Sequence, residues 1–107
     1  LNIDIDNEHK ILPKDGVYAV RVKIQDHQYD GMMNIGQNPT VEHKQAADKK
    51  LEVHLFDFKK EVYGEVATIY FHKYIRNEKT FSNLEELKSQ LSDDENKVRT
   101  FFDAIRP

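Results

Sequence analysis

From Val17 to Ile24 the chain alternates and is rich in β-branched residues, and "GVYAVRVKI" predicts a strand. The preceding "LPKDG" is a turn, in which Pro13 sets one φ and Gly16 is free to take positive φ. A second strand is predicted over "QYDGMMNIG" after the turn "QDH", with Gly31 marking a bulge or a close backbone approach. "QNPT" ends it, and "VEHKQAADKK" is a charged loop without an apolar period. "LEVHLFDF", Leu51 to Phe58, alternates again, and "VYGEVATIYFHKYI" predicts one long strand or one that bends at Gly64. The period then changes. Leu84, Leu87, Leu91, Val98, Phe101, Phe102 and Ile105 fall at helical spacing, a stripe read as core. Ser82 with Glu85, and Ser92 with Glu95, match the capping-box pattern. They predict a short helix, a one-residue break and a longer final helix.

Strands followed by helices predict an antiparallel sheet of the α+β kind. Short, evenly spaced strands favour a small closed barrel, which leaves no exposed edges. At 107 residues the chain is long enough for one domain with one core, over 1–107. It does not begin with Met and reads as the C-terminal part of a longer chain.

Composition narrows the function classes. The net charge is −3, with 16 basic and 19 acidic residues, which argues against a whole-domain electrostatic grip on nucleic acid. The mean hydropathy is −0.76 and no apolar run approaches the ~20 residues that span a bilayer. There is no cysteine, hence no disulfide and no thiolate metal site, as expected of a cytoplasmic protein.

Glu52 and His54 share one strand face, since side chains at i and i+2 point the same way. Read alone they are solvent-facing residues, a metal pair lacking a third ligand, or part of an active site. The order of motifs decides between these. "LPKDGVYAVRV", "MNIGQNPT", "LEVHLFDF", "VYGE" and "YIRNEKTFSNLEEL" follow one another as in riboflavin kinases. The sequence most closely resembles the kinase domain at the C-terminal end of bacterial bifunctional riboflavin kinase/FAD synthetases, from about Leu12 onwards.

That resemblance implies a mainly β fold: a closed, six-stranded antiparallel Greek-key barrel with C-terminal helices. It implies transfer of the ATP γ-phosphoryl group to the 5′-hydroxyl of riboflavin, giving FMN, with Mg2+ as the metal. It also implies an N-terminal FMN adenylyltransferase domain as partner in the parent chain. Glu52 matches the catalytic base. Carboxylates of its type are ionised at neutral pH and accept the proton of an attacking alcohol. Leu55, Asp57 and Tyr63 match the nucleotide pocket; read alone, Leu55 is core and Tyr63 covers a turn. Asn34 and Gly36 are expected as nucleotide contacts, although with Pro39 they equally mark a hairpin end. Arg76 and Phe81 match flavin contacts; read alone, Arg76 pairs with Glu78 or Asp93, and Phe81 staples the helix at Glu86 or Leu87. Asn2 matches a metal ligand whose proline and threonine neighbours fall before Leu1. His54 is assigned a packing or supporting role. Two other classes stay in view: a non-catalytic flavin-binding or regulatory barrel, and a barrel that binds single strands or oligosaccharides through exposed aromatics.

Overall fold

The structure is a computed structural model and describes residues 13–37, 49–58 and 66–106. Four strands, β1 (Gly16–Ile24), β2 (His27–Gln37), β3 (Lys49–Leu55) and β4 (Ala67–Arg76), precede one helix, α1 (Leu84–Ile105). They form an antiparallel sheet in the order β3-β2-β1-β4. Among the described residues this sheet is open, with β3 and β4 at its edges. In place of the expected closed six-stranded barrel, the described residues show a four-stranded antiparallel sheet that is not closed, followed by a C-terminal helix.

β1 and β2 form a hairpin with an unbroken register from Gly16↔Ile35 to Ile24↔His27. Its two-residue turn places Gln25 at φ 56°, the left-handed conformation that tight hairpin turns use. No bulge occurs at Gly31; instead a Cβ there would lie 2.6 Å from the His54 carbonyl oxygen on β3. The irregularities fall between β1 and β4, at Val17/Tyr18 and Ala19/Val20.

The sheet buries both faces of its centre. Tyr18, Val20, Val22, Ile24, Met33, Ile35, Leu51, Val53 and Leu55 form one cluster. Val17, Ala19, Met32 and Phe56 form the other, with Val98 and Phe102 of the helix. A fully buried aliphatic or phenyl side chain contributes about 1.5–3 kcal/mol, so these two clusters hold the fold.

The predicted pair of helices is one continuous helix of 22 residues. Its N-cap is Asn83 rather than Ser82: Asn83 Oδ1 accepts from the Glu86 backbone N–H at 2.8 Å. Glu86 in turn accepts from the backbone N–H and hydroxyl of Ser82, the residue before the cap. Asparagine caps as well as serine does, and the cap at Asn83 displaces the box expected at Ser82 and Glu85. Ser92 lies inside the helix, where serine costs only a few tenths of a kcal/mol and starts nothing. Among the described residues no helix is long and apolar enough to cross a membrane.

Candidate active site

The helix covers the sheet unevenly, and the uneven part is a groove of about 660 Å³. Met32, Asn34, Lys50, Glu52 and His54 line its sheet wall; Leu87, Leu91, Ser92, Asp94, Glu95 and Asn96 line its helix wall. The sheet wall follows from register. Arg76 pairs with Val17, Val17 with Asn34, and Asn34 with Glu52, one row across all four strands. Residues directly opposite in an antiparallel sheet share a face, so this row faces α1. Met32 and His54 form part of the next row.

Glu52 is half exposed and lies 3.4 Å from the Lys50 ammonium. Lys49 and Lys50, read from sequence as loop, already belong to β3, and Lys49 pairs with Asp15. His54 is exposed, 3.8 Å from Glu95, and its ring centroid is 5.6 Å from that of Phe56. Among the described residues no group of three His, Cys, Asp or Glu side chains is placed to hold a metal ion.

At the β4 end of the row, Arg76 Nε donates to both Asp94 oxygens at 2.9 and 3.0 Å, and Nη2 donates at 2.7 Å. Gln90 adds a bond to Asp94 at 3.0 Å. Asp94 is fully buried and the Arg76 side chain is 11% exposed. A buried carboxylate requires such a partner. The pairings of Arg76 read from sequence, with Glu78 or Asp93, are replaced by Asp94, because residue 94 and not 93 turns toward the sheet. The guanidinium carbon lies 5.9 Å from the centroid of Phe81, so the two expected flavin contacts are neighbours.

Gly36, buried on β2, is covered by Glu78. A Cβ at Gly36 would fall 1.9 Å from Glu78 Oε2. The Asn34 side chain lies beside the same carboxylate and favours its ionised form. Burial is the first cause raising the Glu78 pKa above its ordinary 4.5; the charges of Asp15 and Glu52 add to it, while the Asn34 side chain and Arg76 oppose it. Among the described residues Asn34 Oδ1 is buried without a partner.

The structure thus brings Asn34, Glu52, Arg76 and Phe81 to one side of the sheet, with Gly36 beneath Glu78. Leu55 turns into the core cluster on the other face. Asp57, at φ 58°, lines a separate cavity of about 300 Å³ with Tyr29, Phe56, Arg99 and Arg106, and accepts from Arg99 at 3.3 Å. Asn2 and Tyr63 lie outside the described residues. Glu78, Asp94 and Lys50 were missed from sequence. The only signal for Glu78 was its place inside "YIRNEKTF"; Asp94 interrupts the apolar stripe one turn before Val98.

The riboflavin kinase (flavokinase) family model matches residues 1–102. The chain belongs to the riboflavin kinase family. It is 37% identical over 105 residues to the bifunctional riboflavin kinase/FMN adenylyltransferase of Bacillus subtilis, covering 98% of this chain and 33% of the relative. The protein of the same description from Listeria monocytogenes is 41% identical, with 90% and 30% covered. That from Escherichia coli K12 is 39% identical, with 92% and 31% covered. The chain therefore spans about a third of the length of these relatives. A crystal structure described as a macrolide-efflux protein from Streptococcus pneumoniae superimposes with a TM-score of 0.74 at 36% identity, over 83% of this chain and 28% of that one.

Proposed function

We propose that this chain is a riboflavin kinase domain, passing the γ-phosphoryl group of ATP to the ribityl 5′-hydroxyl of riboflavin to give FMN and ADP. The observation that carries the reading is the position of Glu52, a half-exposed carboxylate on the wall of a groove open to a ligand. Met32, Leu87 and Leu91 offer apolar surface to a flat ring system; Asn34, Glu52 and Asn96 offer polar groups to its side chain. Glu52 accepts the hydroxyl proton as the alcohol oxygen attacks phosphorus, and the P–O bond to ADP breaks. Lys50 holds the Glu52 carboxylate from one side. Arg76, fixed by Asp94, and Phe81 bound the flavin end, where a guanidinium and a phenyl ring suit a planar, carbonyl-bearing ring.

Phosphoryl transfer is mostly alignment and charge neutralisation. Magnesium, when bound, would supply that neutralisation, and this small ion would need only one or two protein oxygens. The described residues form no ready metal cage, and Asn2 is the ligand that the family resemblance offers. In the parent protein, an FMN adenylyltransferase domain would consume the FMN.

The test is FMN formation from riboflavin, ATP and magnesium, resolved by chromatography, with Glu52→Gln in parallel. Loss of general-base catalysis lowers kcat by about 10²–10⁴. Equal FMN from both proteins would remove Glu52 from the base role, and no FMN from the parent together with no flavin binding would overturn the family activity for this chain.

A further inference from the structure

The end of the groove beside Glu52 has an unusual balance of hydrogen-bonding groups. Glu52 on the groove wall, and Glu78 beyond the residues that line it but close enough to feel its charge, present carboxylates, which only accept. Asn34 stands between them: it is the register partner of Glu52 and lies beside Glu78. Its Oδ1, a third acceptor, is buried without a donor among the described residues. Nearby cationic groups are already engaged. Lys50 pairs with Glu52, Lys49 with Asp15, and Arg76 with Asp94 and the Asn77 carbonyl. Among the described residues this end of the site is rich in acceptors and short of donors.

The placement of Glu78 is built rather than incidental. Its carboxylate occupies the space over Gly36 that any β-carbon would take, and the three nearest atoms such a carbon would meet belong to Glu78. The loop that carries it is tied down on both sides, by Arg76 to Asp94 and by Lys79 to Gln90 at 3.2 Å. Burial and the charges of Asp15 and Glu52 disfavour its ionised form. Among the described residues no cation is ion-paired with Glu78, Arg76 acting on it only at longer range, and a carboxylate so placed is suited to a ligand that brings donors.

We infer that Glu78, placed over Gly36 beside Asn34, is a substrate-positioning residue that accepts hydrogen bonds from the polyol chain of the flavin and so sets the 5′-hydroxyl against Glu52. This deepens the kinase reading and rests on it. It also moves Asn34 and Gly36 from nucleotide contacts to supports of the flavin side chain. A ribityl chain carries four hydroxyl donors, whereas lumiflavin has a methyl group in their place, so the two flavins separate polyol recognition from ring binding.

The experiment is fluorescence quenching of riboflavin and of lumiflavin by the chain and by two variants, Glu78→Gln and Gly36→Ala, with Tm recorded for each. Gly36→Ala removes no polar group and acts only by displacing the carboxylate. The expected result is a loss of about tenfold in riboflavin affinity for both variants, the scale of one hydrogen bond to a charged group, with lumiflavin affinity and Tm little changed. Equal losses for both flavins, or no loss for riboflavin, would overturn the positioning role. If the parent chain binds neither flavin, the kinase reading fails first and this inference goes with it.

Discussion

The two halves of α1 carry the same kind of apolar stripe and put it to different uses. In the C-terminal half, Val98 and Phe102 are fully buried against Val17, Ala19, Met32 and Phe56. In the N-terminal half, Leu84 and Leu91 are 62% and 40% exposed, and Leu87 and Leu91 line the groove. The difference arises where the helix passes the sheet. Past Val98 it lies on the apolar row of β1 and β2. Before Asp94 it faces the polar row of Asn34 and Glu52, which cannot close against leucine without burying unpaired polar atoms. The helix is fixed at one end by packing and stands off at the other, and the groove is that separation.

Truncating the stripe in each half should break this symmetry of sequence. Phe102→Ala removes a fully buried ring and is expected to cost about 3–5 kcal/mol in urea unfolding. Leu91→Ala, already partly in water, is expected to cost less than about 1 kcal/mol and to weaken flavin binding several-fold instead. Comparable stability losses for the two would mean that the groove closes in solution.

Asp94 marks the border and sharpens the contrast. Its carboxylate neutralises Arg76 within the fold, yet Asp94 also lines the groove. Asp94→Asn keeps the shape and leaves a guanidinium without its countercharge, so a loss of about 3 kcal/mol is expected, at the lower end for a broken buried pair because Arg76 keeps some solvent contact. The same variant should bind flavin less tightly, since nothing then fixes the guanidinium beside Phe81. Stability loss with flavin affinity intact would assign the pair to the core alone.

How far the sequence reveals this arrangement depends on the range of the interactions. Alternation at Leu51, Val53 and Leu55 placed Glu52 and His54 together on the opposite face, and the structure keeps them there. Strand order and register were not legible, because the row of Arg76, Val17, Asn34 and Glu52 joins residues far apart in the chain. Helical spacing found Leu84 and Leu91 as surely as Val98 and Phe102, but a leucine lining a groove and one filling a core leave the same periodic mark. The cap was misplaced by one residue because Ser82 and Asn83 are both good caps, and only the Glu86 geometry chooses between them. Glu78 was read only as a charge partner for Arg76. Its docking on Gly36 needs the absence of a side chain at a distant position, which no local pattern records.

The smallest expected effect comes from protons, and it runs in opposite directions at the two ends of the acidic patch. Glu78 has its pKa raised, first by burial, so the folded chain holds that proton more tightly than the unfolded chain. Stability associated with it is present below the ordinary value of 4.5 and declines as pH rises through the window just above it. Asp15 has its pKa lowered, first by the hydrogen bond from Lys49, with Gln37 adding a second at 3.0 Å and burial opposing both. Its contribution is present above the ordinary value of 3.8 and is lost as pH falls below that value. Thermal melts across this range should therefore show Glu78→Gln gaining on the parent chain as pH rises toward neutral, and Asp15→Asn losing less than the parent on acidification. Both groups keep contact with solvent, so each difference is expected at about 2 °C or less. If flavin engages Glu78 through its hydroxyl donors, saturating riboflavin should abolish the Glu78 trend, by favouring the ionised carboxylate, and leave the Asp15 trend in place. A Glu78 trend that persists unchanged with riboflavin bound would place that carboxylate outside the ligand's reach.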